Sequence, residues 1–146
     1  TVCLDAGTMV PGIGDLLAQC DLVIASASFA QEFTGCRNLD DALKALHLRG
    51  PRLAVITDGP MGSVGFDGRE IARVPAFPVR VVDTTGAGDV YHGAFLLRHV
   101  EGAALAECMR FASAAAALKC EALGGRTGIP TRAKLEELLR GNPTTE

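Results

Sequence analysis

The residues best placed to do chemistry lie in one short stretch, Asp83-Thr84-Thr85-Gly86-Ala87-Gly88-Asp89. Gly86 and Gly88 lack a Cβ, so the backbone can turn sharply there and a ligand can approach it closely. The spacing predicts a helix from about Ala87, and the first N–H groups of a helix have no intrahelical acceptor. Those free donors and the positive end of the helix dipole together favour an anion such as a phosphate. Asp89 falls in the first turn of that helix. A carboxylate there repels a bound phosphate, so its functional role would be to accept a proton from an attacking hydroxyl while the amides hold the phosphoryl group. The plainer reading is a stabilising acidic residue in a first helical turn.

Composition narrows the classes open to this chemistry. The chain has 146 residues, of which 48% are apolar and 21% charged, as in a folded globule with a core of its own. A net charge of −3 and the lack of any basic stretch argue against nucleic-acid and anionic-membrane partners. Cys3, Cys20, Cys36, Cys108 and Cys120 are odd in number and contain no C-x-x-C pair. That spacing argues against a disulfide framework and a thiolate zinc site, and fits reduced thiols in a cytoplasmic protein. His47, His92 and His99 lack the spacing of metal ligands. No secretory leader is read before the first strand, and no apolar run is long enough to span a bilayer.

The elements that must position the stretch read as follows. An apolar strand, Thr1 to Leu4, ends at Asp5-Ala6-Gly7. A helix from Ile13 to Cys20 turns Ile13, Leu16, Leu17 and Cys20 inward, and Leu22 to Ala25 is a second strand. Ser28 caps a short helix ending at Gly35. Asn38 caps another, with Leu39, Ala42, Leu43 and Leu46 inward and Gly50-Pro51 beyond its end. Leu53 to Thr57 is the clearest strand and runs into the turn chemistry of Asp58 to Gly62. Ser63 to Phe66 and Arg69 to Val74 form a β-hairpin about a two-residue Asp67-Gly68 turn. Val79 to Val82 leads into the reactive stretch. A helix from Ala87 to Val100 packs through Val90, Ala94, Leu97 and Phe95. After a break at Glu101-Gly102, an alanine-rich helix runs from about Ala103 to Ala122. A loop spans Gly124 to Gly128. The last helix starts at Pro130-Thr131 with Leu135, Leu138 and Leu139 on its face, and the tail after Gly141 is expected to fray. Alternating strands and helices predict a single α/β domain, a mainly parallel sheet flanked by helices, with one β-hairpin. Ligands bind beyond the carboxyl ends of strands in such sheets, which would bring Asp5, Thr57 to Gly62 and the reactive stretch to one edge. A chain that opens inside a core strand implies that it is the C-terminal part of a larger domain.

Asp83 to Asp89, followed by Gly93, resembles the second signature of the ribokinase-like (PfkB) carbohydrate kinases. The resemblance covers almost the whole chain, as the ATP-binding C-terminal half of a family member. It implies a phosphotransferase that moves the γ-phosphoryl group of ATP to a hydroxyl of a sugar or related small molecule. Asp89 would be the base, and Gly86, Ala87, Gly88 and the Asp89 amide the anion hole. Thr57-Asp58-Gly59-Pro60-Met61-Gly62 resembles the family's nucleotide loop, which implies cofactor contacts at Thr57, Gly59 and Gly62. Phe111 to Ala116 resembles the helix bordering the adenine pocket, with Ser113 where many members have asparagine. Asp83 and Thr85, with the Gly124 to Gly128 loop, resemble the monovalent-cation site of several members. The implied cofactors are ATP, Mg²⁺ and K⁺. The implied partners are a sugar-like substrate and either a second copy or the missing N-terminal half, with no nucleic acid and no membrane. One departure concerns Mg²⁺: where many members carry N-x-x-E, this chain has Ser26-Ala27-Ser28-Phe29. Mg²⁺ would then travel with the phosphates of ATP. The competing function is a nucleotide-binding or regulatory module of the same fold without catalysis, which would have no need to keep Asp89. A Rossmann oxidoreductase and a P-loop NTPase are disfavoured, because no G-x-G-x-x-G follows the first strand and no Gly-Lys pair occurs.

Overall fold

A computed structural model describes residues 1–143, and the chain separates into two compact units, Thr1–Val74 and the stretch from Pro75 onward. From residue 144 the expected frayed tail lies outside the described residues.

The first unit is an α/β layer. It runs β1 (Cys3–Ala6), α1 (Ile13–Leu17), β2 (Leu22–Ser26), α2 (Ala27–Thr34), α3 (Leu39–His47), β3 (Leu53–Thr57), a 3₁₀ turn (Gly59–Met61), β4 (Ser63–Phe66) and β5 (Ile71–Val74). The strands lie in the order β1-β2-β3-β4-β5. The first three are parallel, and the hairpin β4–β5 adds on antiparallel, so the sheet is mixed. Successive strand residues face opposite sides of a sheet. Leu4, Ala6, Val23, Ala25, Ala54, Ile56 and Val64 pack in one cluster with Leu17, Phe29, Ala30, Leu43 and Leu46 of the helices. Leu22, Ile24 and Val55 alternate onto the other face and are buried as well. Burial on both faces is why β2 and β3 read as continuous apolar runs.

Three expectations about this unit need correction. Leu16 is 49% exposed, because α1 is five residues long and buries only Ile13 and Leu17, four positions apart, with Cys20 beyond. Ser26, not Ser28, caps α2: β2 passes straight into the helix, Ser26 is extended, and its Oγ accepts the Phe29 N–H at 3.1 Å. The hairpin has no two-residue turn, since Phe66 pairs with Ile71 and leaves four connecting residues, 67–70. The Asp67 carboxylate accepts the N–H groups of Arg69 at 2.9 Å and Glu70 at 3.0 Å, so a side chain closes the turn in place of the ladder. The Asn38 cap holds as expected, with Oδ1 accepting from the Asp40 and Asp41 amides.

The second unit is helical: α4 (Ala87–Val100), α5 (Leu105–Lys119) and α6 (Arg132–Gly141). Val79 to Val82 forms no strand among the described residues, and Val81 and Val82 are exposed. Phe111, Ala114, Ala115, Leu118 and Leu135 make the core cluster, with Phe77, Val90, Ala94, Leu138 and Leu139 at its edge. The alanines of α5 let neighbours come close. α4 is fully buried at Tyr91 and Phe95, whereas Leu97, expected inward, is 49% exposed. Glu101 ties the end of α4 to the start of α6, accepting from Arg98 at 2.6 Å and from both terminal nitrogens of Arg132 at 2.9 and 3.0 Å. These guanidinium groups, Arg132 first, hold the Glu101 carboxyl down at about 2. Among the described residues no helix is long and apolar enough to cross a membrane.

The two serines before α2 offer a direct check. Ser26→Ala should lower stability by about 0.5–2 kcal/mol through loss of the cap. Ser28→Ala, at an exposed helical position, should stay within about 0.5 kcal/mol. Chemical denaturation of both variants reads the difference, and the reverse order would contradict the observed cap.

Candidate functional site

The reactive stretch of the second unit is held by the carboxyl end of α5. The last carbonyls of a helix have no intrahelical donor. Here the Cys120 carbonyl accepts two N–H groups from the stretch, Val82 at 2.8 Å and Asp83 at 3.1 Å. Asp83 then binds in both directions. Its Oδ1 accepts the Thr85 N–H at 2.9 Å and its Oδ2 accepts the Gly124 N–H at 2.7 Å. Its own carbonyl accepts the Lys119 ammonium at 2.7 Å. The Thr85 and Gly124 amides, with the Thr85 hydroxyl and the Lys119 charge, lower the Asp83 carboxyl from 3.8 to about 2. Lys119, the last residue of α5, is completely buried.

Glycines make the close approach of the two loops feasible. Gly86 has φ +77°, and a Cβ on it would lie 2.9 Å from the Gly125 carbonyl oxygen. A Cβ on Gly128 would lie 2.3 Å from the Lys119 carbonyl oxygen. Gly86 is also the N-cap of α4. The Ala87 N–H donates to the Thr84 carbonyl at 3.0 Å and the Val90 N–H to the Gly86 carbonyl at 3.0 Å. Gly88 and Asp89 thus supply the first-turn donors, on a turn whose position is set by Asp83. The Asp89 side chain is exposed. It lines a cavity of about 550 Å³ together with Leu97, Phe111, Arg126, Ile129 and Leu135. A ring nitrogen of His92 hydrogen-bonds the Gly88 carbonyl at 3.0 Å.

In the first unit, register places the ends of β1, β2 and β3 side by side, with Ala6 opposite Ala25 and Ser26 opposite Thr57. The Thr57 hydroxyl donates to the Ala25 carbonyl at 3.3 Å. The loop after it is closed by the Asp58 N–H on the Gly62 carbonyl at 2.8 Å, with Gly59 and Gly62 both at positive φ. Phe29, which stands where the absent glutamate would be, is buried and stacks on Phe33 with ring centroids 5.5 Å apart. It is a core residue. Among the described residues no cluster of three His, Cys, Asp or Glu could hold a metal ion.

The structure thus gathers Asp83, Thr85, Gly86, Ala87, Gly88 and Asp89 into one braced loop and helix start. Thr57, Gly59 and Gly62 lie in the other unit. Ser113 is buried in α5, and its hydroxyl donates to the Pro75 carbonyl at 3.3 Å. The residue missed by sequence reasoning is Lys119. Its signal was a lone lysine set directly after the apolar run Ala112 to Leu118. It also bears on the monovalent cation. Both Asp83 carboxylate oxygens already accept backbone N–H groups, and the Asp83 carbonyl carries an ammonium. An ammonium fixed on Asp83 would repel a monovalent cation held by the same residue.

Residues 2–132 match the family described as pfkB family carbohydrate kinase. A ribokinase of Bacillus subtilis is 42% identical over 89 residues, which is 61% of this chain and 30% of its own. A ribokinase of Arabidopsis thaliana is 33% identical over 147 residues, covering 95% of this chain and 39% of its own. The solved structure of Arabidopsis thaliana ribokinase complexed with ribose and ATP is similar with a TM-score of 0.85 at 32% identity, over 93% of this chain and 46% of that one. The chain spans less than half the length of each of these relatives.

The brace at Asp83 predicts a pH dependence. A carboxyl lowered on folding stabilises the native state above its unfolded value and loses that contribution as pH falls through its folded value. For Asp83 the window runs from 3.8 down to about 2. The melting-temperature gap between wild type and Asp83→Asn should be widest at neutral pH and close across that window. Glu101 titrates in both proteins alike and drops out of the difference. A gap independent of pH would show that the Asp83 charge does not brace the loop.

Proposed function

Because the chain belongs to the pfkB family of carbohydrate kinases, we propose that it forms the phosphoryl-transfer part of an ATP-dependent kinase acting on a hydroxyl of a sugar or related small molecule. The observation that carries this reading is Asp89. It is an exposed carboxylate in the first turn of α4, beside a cavity, on a helix start whose loop is fixed by the end of α5. Phosphoryl transfer asks for position and charge stabilisation more than for covalent help. A loop fixed before substrate arrives meets that need without reorganising.

In this reading Asp89 accepts the proton of the acceptor hydroxyl as its oxygen bonds to the γ-phosphorus. The bond from that phosphorus to the bridging oxygen breaks, and ADP leaves with the electron pair. The Gly88 and Asp89 amides hold the developing negative charge, with Gly86 and Ala87 shaping the turn. Thr57, Gly59 and Gly62 are the proposed nucleotide loop of the first unit. Ser113 is the proposed nucleotide-side residue of the second unit, where its hydroxyl holds the Pro75 carbonyl. Mg²⁺ supplies charge neutralisation on the phosphates when bound, and with Phe29 in the core it arrives with them. Asp83 and Thr85 brace the loop. A second copy, or further chain carrying the substrate contacts, completes the protein, and a cytoplasmic location goes with this reading.

Asp89→Asn, made in the full-length protein, separates the kinase from a binding module. Turnover should fall by about 10²- to 10⁴-fold, the worth of a positioned acid–base group. Nucleotide affinity should hold, since the amides remain. If Asp89 served only the helix, stability would drop by about 0.3–1 kcal/mol with turnover untouched. Steady-state kinetics, nucleotide titration and melting temperature on one preparation distinguish the two, and unchanged turnover would sink the catalytic role.

A further inference from the structure

We infer that Lys119 is a built-in cation: its ammonium supplies the positive charge that the family resemblance assigns to K⁺, so the phosphoryl-transfer loop works without a monovalent ion. This rests on the kinase reading for its catalytic consequence, but not for its geometry.

Lysine is almost never fully buried unless its charge is compensated. Here the side chain of Lys119 is wholly enclosed, and its Nζ lies 2.7 Å from the Asp83 carbonyl oxygen. That carbonyl belongs to the residue whose carboxylate is one of the two expected cation ligands. The surroundings favour a positive charge for two further reasons. The Asp83 carboxylate is held ionised by the Thr85 and Gly124 amides. Lys119 also ends α5, where the negative end of the helix dipole attracts a cation. An ammonium is a compact point charge of about the size of K⁺, with donors that suit the carbonyls a cation would ligate. The two loops beside it are packed backbone against backbone, Gly128 on the Lys119 carbonyl and Gly86 on Gly125. The ion is therefore replaced by a group that is covalently attached and cannot dissociate. Lys119 touches neither donor amide of the anion hole, so it is a positioning residue, acting through Asp83.

The test uses the full-length protein in KCl and in tetramethylammonium chloride of equal ionic strength, whose cation is too large for such a site. Wild type should show the same turnover and the same melting temperature in both. Lys119→Met removes the charge at similar length. In tetramethylammonium its kcat should fall by about 10²-fold, as when one oxyanion donor is lost, and KCl should raise both its kcat and its melting temperature. Lys119→Gln gives the same comparison should the methionine variant not fold. Melting reads cation occupancy without turnover, so a protein with no kinase activity would defeat the functional proposal while leaving this one decidable. An equal response of wild type and variant to K⁺, whether nil or large, would overturn the assignment.

Discussion

The second unit turns on the contact between the end of α5 and the loop before α4. A helix C-terminus presents carbonyl oxygens and a partial negative charge. The loop answers with the Val82 and Asp83 amides on the Cys120 carbonyl. The buried ammonium of Lys119 and the Asp83 carboxylate then close the contact from either side. Each of these groups would be costly to bury alone, and each is satisfied by another member of the set. Asp83 supplies the acceptors of Thr85, Gly124 and Lys119 together, so that residue is the centre of the brace.

The direction of α4 follows from that brace. Asp83 fixes Thr85, Gly86 turns the chain at positive φ, and the helix begins at once. The direction of the first-turn amides is thus set by the loop that precedes them. The glycines are required by distance as much as by dihedral angle, since Gly86 and Gly128 press backbone against backbone. Asp89 is exposed, as are Val82 and Thr85, whereas Lys119 and Cys120 are buried and Asp83, Gly86 and Gly124 half-buried.

The first unit reaches its own loop by a different route. Parallel pairing of β1, β2 and β3 sets their carboxyl ends level, and the loop from Thr57 to Gly62 leaves from that edge. Its conformation is closed locally, by Asp58 on Gly62 and by two positive-φ glycines. Phe29 shows what the sequence departure after β2 means. An aromatic ring in the core cannot hold metal-bound water, so that helix start contributes packing instead.

Sequence alone determined the features that depend on neighbours along the chain. The start of α4 at Ala87, the cap at Asn38, the start of the last helix at Pro130-Thr131, the break at Glu101-Gly102 and the hairpin's existence are set by residues a few positions apart. The signature from Asp83 to Asp89 was legible for the same reason, because its residues are contiguous. Small ambiguities remained even there. Ser28 suits a cap by residue type, yet β2 runs to Ser26 and that residue caps α2. Asp67-Gly68 suits a tight turn, yet an Asp67 side-chain bond to Arg69 and Glu70 proved the better closure. What only the tertiary structure decided was the brace itself. Lys119 meets Asp83 across 36 positions and Gly124 meets it across 41. No local pattern encodes such pairs, since they arise from how α4 and α5 pack. A lysine after an apolar run reads as the exposed end of a helix until the fold folds a carbonyl and a carboxylate over it.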